Sequence, residues 1–279
     1  MKRSIVLNLL AIAASTTLLA TSALADSVTI KGSDTMVLLG QKWAETYMKK
    51  NPNVQIQVTG GGSGTGIAAL INGTTDIAES SRSMKPAEIT SAESKQGAKV
   101  KETPVALDAL SIYVNASNPL TEMSLPQARK IYTGVITNWK EVGGPDAPIT
   151  IYSRENNSGT YVFFKEHVLQ NDDFDPSAQT LPGTASVVNA VSKDPNGIGY
   201  GGIAYAEGIK PLKIKKDDNA PAVEGTLENA QSGKYGLARE LYFYMFPNKN
   251  AAADAFVTWV LSPDGQSVVQ DVGYYPLKH

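Results

Sequence analysis

Three short segments of this 279-residue chain carry one kind of chemistry. They are Gly32-Ser33-Asp34-Thr35, Gly62-Ser63-Gly64-Thr65-Gly66 and Ser158-Gly159-Thr160. Each combines hydroxyl side chains with glycine, follows a strand-like stretch and opens a helical one. A helix start exposes unpaired N–H groups and a partial positive charge. Glycine lets an anion approach the backbone closely, and the hydroxyls add donors, so such a turn suits a tetrahedral oxyanion. Arg154, just ahead of the third segment, can add a full charge with a two-pronged donor. Ser80-Ser81-Arg82 makes a fourth hydroxyl-rich turn. Taken singly, each segment reads as a helix cap or a plain turn, and Arg154 as a surface ion pair. Three such turns in one α/β chain point to an anion site, because strand-to-helix turns of a doubly wound sheet share one edge.

Other chemistries find little material. Cysteine is absent, and the two histidines are His167 and the last residue, His279. Thiolate nucleophiles, disulfides and histidine metal cages are therefore excluded or nearly so. The glycine run lacks the Gly-Lys-Ser/Thr ending of a nucleotide-binding loop. Ser63 is not in a hydrolase nucleophile elbow, since Thr65 stands where glycine is needed. Asn171-Asp172-Asp173-Phe174-Asp175 lacks the glycine and closing glutamate of a calcium loop and reads as an acidic helix end. His167 reads as a solvated or partly buried helix residue. The formal net charge is −2, with no basic stripe, so no nucleic-acid partner is expected.

The elements that must position these turns are legible in the hydrophobic pattern. Residues 27–30 alternate as a strand, and 32–35 form a turn with helix-capping residues. In 36–50, Leu39, Trp43 and Tyr47 mark one helical face. Residues 54–58 alternate again, a short helix carries Ile67, Leu70 and Ile71, and 76–78 form a third strand. Strand, helix, strand, helix, strand predicts an α/β chain with a parallel sheet. Further on, strands are expected at 105–114, 149–152, 198–205 and 241–246. Helices are expected at 125–132, from Ser158 through Gln170, at 185–192 and at 251–261. The run 105–114 is apolar except for Asp108 and Ser111.

Residues 1–25 read as a cleaved secretory signal: Lys2 and Arg3, an uncharged, mostly apolar run, then Ala23-Leu24-Ala25. Their removal takes away two positive charges and no acid, moving the net charge from −2 to −4. No cysteine follows the cleavage site to carry a lipid, and no later run approaches about 18 apolar residues. A mature protein without a membrane anchor, located in the periplasm, is expected.

Several stretches then occur in a familiar order. They are Gly32-Ser33-Asp34-Thr35, the 62–66 loop, Asp76-Ile77-Ala78-Glu79-Ser80-Ser81-Arg82, Ile131-Tyr132-Thr133-Gly134-Val135-Ile136-Thr137-Asn138-Trp139, and Ser153-Arg154-Glu155-Asn156-Asn157-Ser158-Gly159-Thr160. Through them essentially the whole mature chain resembles the periplasmic phosphate-binding proteins of Pst-type ABC transporters. The resemblance implies a two-lobed type II periplasmic-binding fold, two doubly wound α/β domains joined by two crossing strands. The crossings would be 105–114 outward and 241–246 on the return. Lobe one would hold 26–107 and 240–279, and lobe two 108–239. By the same resemblance, inorganic phosphate is held by Thr35 with the Met36 backbone, by Ser63 and by Ser81 from lobe one. Arg154, Ser158, Gly159 and Thr160 hold it from lobe two. The implied partner is the permease of an ABC transporter, with no cofactor and no metal, and a monomer is expected. Ser81 stands where family members place an aspartate that accepts the proton of hydrogen phosphate. Asp34 and Glu155 are candidate replacements, and Asp34 is equally readable as a helix cap. Asn156-Asn157 stands where the family often has an acid and a glycine. The competing functions are binding of another oxyanion (sulfate, molybdate, arsenate), a secreted phosphatase, and a scaffold that has lost its site. A phosphatase needs a metal cluster or an activated nucleophile, for which the chain has little material.

Overall fold

The computed structural model describes residues 26–278; the signal-peptide reading and His279 lie outside the described residues. The first half opens with β1 (Asp26–Gly32), α1 (Val37–Lys50), β2 (Val54–Thr59), α2 (Ser63–Asn72), β3 (Ile77–Ser80) and α3 (Pro86–Gln96). Then β4 (Lys101–Asn115) leads to β5 (Glu122–Ser124), α4 (Leu125–Tyr132), β6 (Thr150–Arg154) and α5 (Gly159–His167). β7 (Gln179–Leu181), α6 (Gly183–Lys193), β8 (Gly197–Gly202), β9 (Ile209–Pro211) and β10 (Lys213–Lys215) follow. The chain ends with α7 (Leu227–Gln231), β11 (Ala238–Met245), α8 (Ala251–Val260) and α9 (Pro263–Val272).

One continuous sheet runs β2-β1-β3-β11-β4-β8-β6-β7, with β9 also paired to β4. β1, β2 and β3 are parallel, as are β6, β7 and β8. The strands between them, β11 and β4, are antiparallel to each other and to their neighbours. This is the two-lobed type II architecture: two parallel half-sheets bridged by two long strands.

Each half has its own core. Val28, Ile30, Leu39, Trp43, Phe243 and Phe256 gather under α1, α8 and α9. Leu110, Ile112, Tyr132, Trp139, Phe164 and Tyr200 gather in the other half. Burying each such side chain contributes about 1.5–3 kcal/mol. β4 gives Val105 and Ala106 to the first core and Ala109, Leu110 and Ile112 to the second. β11 packs Ala238 against the second, next to the preceding Leu237, and gives Leu241 and Phe243 to the first. Both strands therefore cross from one core to the other near Asp108 and Arg239.

The 36–50 pattern gives α1, with Leu39, Trp43 and Tyr47 buried and Lys49 and Lys50 in the last turn, where the dipole favours cations. α3 and α9 have no counterpart in the sequence expectation. α3 buries only Ala92, so it carries almost no hydrophobic period. The expected helix to Gln170 stops at His167, and Gln170 and Asn171 turn to positive φ. The strand expected over 198–205 ends at Gly202 and passes into a 3-10 turn. Among the described residues, no helix is long and apolar enough to cross a membrane.

Candidate functional site

The three hydroxyl-glycine turns come together where the halves face each other. Thr35 follows β1, Ser63 opens α2, Ser81 follows β3, and Thr160 lies in the first turn of α5. All four are buried. The Thr35 and Thr160 Oγ1 atoms are 2.8 Å apart, Ser81 Oγ is 3.5 Å from Thr160 Oγ1, and Ser63 Oγ is 3.4 Å from Ser81 Oγ. The Ser81 N–H donates to Ser63 Oγ at 3.0 Å. Four hydroxyls from two lobes thus converge on one point.

Gly159 explains how the halves approach so closely. A Cβ built there would lie 2.3 Å from Ser63 Oγ and 2.7 Å from Ser81 Oγ. Only a residue without a side chain lets the α5 N-terminus reach the lobe-one hydroxyls. Ser158 caps α5, accepting from Tyr161 N at 3.3 Å. Met36 is buried, and its N–H donates to Ser33 O at 2.9 Å.

Arg154, at the end of β6, is 1 % exposed. Its Nη1 donates to Thr184 Oγ1 and its Nη2 to Asp34 Oδ2, both at 2.8 Å. Its buried Nε has no partner. Burial lowers the pKa of this guanidinium, and the Asp34 carboxylate opposes that shift. Asp34 is not a helix cap: α1 begins after Met36 with no side-chain cap bond. Asp34 Oδ1 instead takes the Gly61 N–H at 2.8 Å, and its main-chain carbonyl accepts from Tyr205 Oη at 2.8 Å. Glu155, half-buried beside Arg154, has its main-chain carbonyl bonded to Ser158 N at 3.0 Å.

Asn157 ties the loops together. Its carbonyl accepts from Gly64 N at 2.9 Å, and its Nδ2 donates to Gly61 O at 2.9 Å and Thr65 Oγ1 at 3.1 Å.

Three residues at or beneath the cluster escaped the sequence pattern. Arg239, on β11, lies opposite Asp108 on β4. Its Nη2 donates to Thr160 Oγ1 at 2.9 Å and its Nη1 to Ser81 O at 3.1 Å. Asp108 was visible only as a break in an apolar run. Glu79, beneath the 32–35 turn, is fully buried, and neither carboxyl oxygen has a partner. Burial first, and the Asp34 charge second, raise its pKa well above the ordinary glutamate range.

The arrangement gathers four buried hydroxyls at the N-terminus of α5, and Arg154 keeps one buried N–H without a partner; among the described residues, no histidine or carboxylate is hydrogen-bonded to the four hydroxyls. Among the described residues, no group of three or more His, Cys, Asp or Glu side chains gathers as a metal site.

Known proteins share this chain's sequence and shape. A family model described as the PBP superfamily domain matches residues 19–264. The phosphate-binding protein PstS of Pseudomonas aeruginosa is 38% identical over 263 residues, covering 88% of this chain and 81% of that protein. The phosphate-binding protein PstS of Bacillus subtilis is 32% identical, covering 90% and 81%. The crystal structure of a substrate-binding protein from Clostridium perfringens with bound phosphate superposes with a TM-score of 0.83 at 30% identity, covering 90% of this chain and 100% of that one. An ABC-type phosphate transport receptor from Vibrio cholerae gives 0.72 at 27% identity, covering 90% and 100%.

Proposed function

We propose that this chain, which belongs to the PBP superfamily and within it to the PstS phosphate-binding proteins, captures inorganic phosphate between its two lobes and delivers it to the permease of an ABC transporter. The observation that carries this reading is the convergence of Thr35, Ser63 and Ser81 with Thr160 across the cleft. Four hydroxyls, the unpartnered Nε–H of Arg154 and the first N–H groups of α5 supply the donors a tetrahedral anion needs.

In this reading the lobe-one contacts are Thr35, Ser63, Ser81 and the main chain of Met36, whose N–H would exchange its bond to Ser33 for the anion. The lobe-two contacts are Arg154, Ser158, Gly159 and Thr160. Asp34 orients Arg154; a proton-accepting role would require it to share an oxygen already bonded to Gly61 or Arg154. Lobe one comprises 26–107 and 240–279 and lobe two 108–239, a division supported by where β4 and β11 change cores. The protein is read as a receptor rather than an enzyme, supported by the relatives named phosphate-binding proteins. It works as a monomer in the periplasm after loss of residues 1–25.

Calorimetric titration with phosphate, arsenate, sulfate and molybdate tests the assignment. Saturable one-to-one binding of phosphate, with arsenate close behind, is the expected result. No binding of phosphate, or tighter binding of sulfate or molybdate, would overturn it.

A further inference from the structure

We propose that Arg239 is a positioning residue for the anion: it fixes the direction of the Thr160 hydroxyl and links that hydroxyl to the two crossing strands. The inference rests on the phosphate-receptor reading and adds a residue to it.

Arg239 stands at the junction of four parts of the fold. Its Nε and Nη2 both donate to Asp108 Oδ2, at 3.0 and 2.9 Å, joining β11 to β4 where both strands change cores. Its Nη1 holds the carbonyl of Ser81 in lobe one at 3.1 Å. Its Nη2 reaches Thr160 Oγ1 in lobe two at 2.9 Å. The guanidinium also lies over the Phe163 ring, one turn further along α5, with 5.2 Å to the centroid. The side chain is 3 % exposed and its aspartate 0 %. Asp108 is held in turn, its Oδ1 accepting from Ile203 N at 3.2 Å.

The direction of the Thr160 bond matters because a guanidinium can only donate. Thr160 Oγ1 must accept from Arg239, so its own proton points away from the arginine. Thr35 Oγ1, 2.8 Å away, lies within reach of that proton, either hydroxyl of the pair being able to donate. An oxyanion in the cluster would take the same proton. Arg239 thus takes one acceptor position of Thr160 Oγ1 and directs its proton towards the cluster, whereas Ser81 Oγ has only the long contacts of 3.4 and 3.5 Å and is free to rotate. Arg239 can hold Ser81 and Thr160 together only while the lobes are close. An alteration at the crossing strands would thus be felt at the anion.

The balanced charge pair also predicts how the residue fails. A lysine could keep the ion pair with Asp108, but it lacks the planar fork needed to reach Ser81 and Thr160 as well. Arg239→Lys should therefore fold, keep the strand pairing and lose the alignment of Thr160.

The test is a double-mutant cycle in phosphate affinity, measured by calorimetry on the wild type, Arg239→Lys, Thr160→Val and the double variant. Arg239→Lys should bind phosphate roughly tenfold to a hundredfold more weakly, the worth of one charge-assisted hydrogen bond. In the Thr160→Val background the same change should have little further effect. If Arg239→Lys does not fold, Asp108→Asn/Arg239→Met removes both charges together and should give the same non-additivity with Thr160→Val. Wild-type affinity in a folded Arg239→Lys protein, or strictly additive losses, would overturn the positioning role while leaving the receptor reading intact. A wild type that takes no phosphate would overturn both.

Discussion

Glu79→Gln should stabilise the folded protein by a margin that widens as the pH rises. Glu79 sits on β3 with its carboxyl sealed against α1. A Cβ built on Gly40 would lie 2.2 Å from Oε1, so the helix backbone packs directly on the acid. Neither oxygen has a partner. Desolvation, reinforced by the Asp34 charge, raises the pKa well above the ordinary value, so the folded protein holds the Glu79 proton to a higher pH than the unfolded chain does. The unfolded chain titrates this group near the ordinary pKa of about 4.3. Between that value and the folded-state pKa, the folded protein holds a proton that the unfolded chain has released. Stability contributed by Glu79 is therefore complete below the unfolded value and falls as pH rises, by about 1.4 kcal/mol per pH unit at most. Glutamine has the same shape and does not titrate. The two proteins should have similar stability near pH 4, and the variant should gain with each unit above that. Urea unfolding at pH 5, 6, 7 and 8 measures the difference; the midpoints should separate as the pH rises, by at most roughly half a molar per pH unit, until the folded-state pKa is reached. Other carboxylates cancel between the proteins. A midpoint difference that stays constant across this range would show that Glu79 ionises normally in the folded state, and the reasoning would fail.

Gly159→Ala should weaken phosphate binding roughly tenfold to a hundredfold, because its methyl group would occupy the space of Ser63 and Ser81 Oγ. Its melting temperature without ligand should change little, since opening the lobes relieves the clash; calorimetry and a thermal melt read the two effects separately. Arg154→Ala should lower phosphate affinity by roughly 30-fold to several thousandfold while the chain still folds. The partner it leaves, Asp34, retains Gly61 N–H and is 17 % exposed, so water can reach it. Wild-type affinity in a folded Arg154→Ala protein would remove it from the site.

The elements with strong periods were readable from the sequence because their burial is one-sided. Trp43 and Tyr47 declare the buried face of α1, and residues 105–114 declare a strand buried on both faces. α3 was not readable because it is held by local devices: Pro86 in its first turn, Glu88 accepting from Lys85 N at 2.8 Å, and the Arg82–Glu88 pair. None of these leaves a hydrophobic repeat. In the site, the hydroxyl-glycine turns were readable because their chemistry is local. Arg239 was not, because its importance lies in the register that sets it opposite Asp108, a residue 131 positions away. A single sequence does not display cross-strand register. Asp34 illustrates the same limit. Its place in a turn before a helix fits a cap, and only the approach of Arg154 across the cleft shows a different partner.

The charges around the hydroxyl cluster come in matched pairs. Arg154 is paired with Asp34 across the cleft, and Arg239 with Asp108 across the crossing strands. Burial raises the pKa of Glu79, beneath Asp34, and so favours its neutral form. An entering anion therefore meets little uncompensated positive charge, and its stabilisation must come mainly from oriented hydroxyls, N–H groups and the α5 dipole. Such donors discriminate by direction and spacing more than by total charge, which is what a receptor for one tetrahedral anion among many requires. The same pairing bears on closure. The Arg154–Asp34 bond and the Asn157 bonds to Gly61, Gly64 and Thr65 hold the two lobes together without help from a ligand. A ligand can shift the open–closed balance only by what it adds to the closed form beyond these bonds. That addition falls on the four hydroxyls, whose protons are shared only among themselves, and on Arg154 Nε, which has no partner.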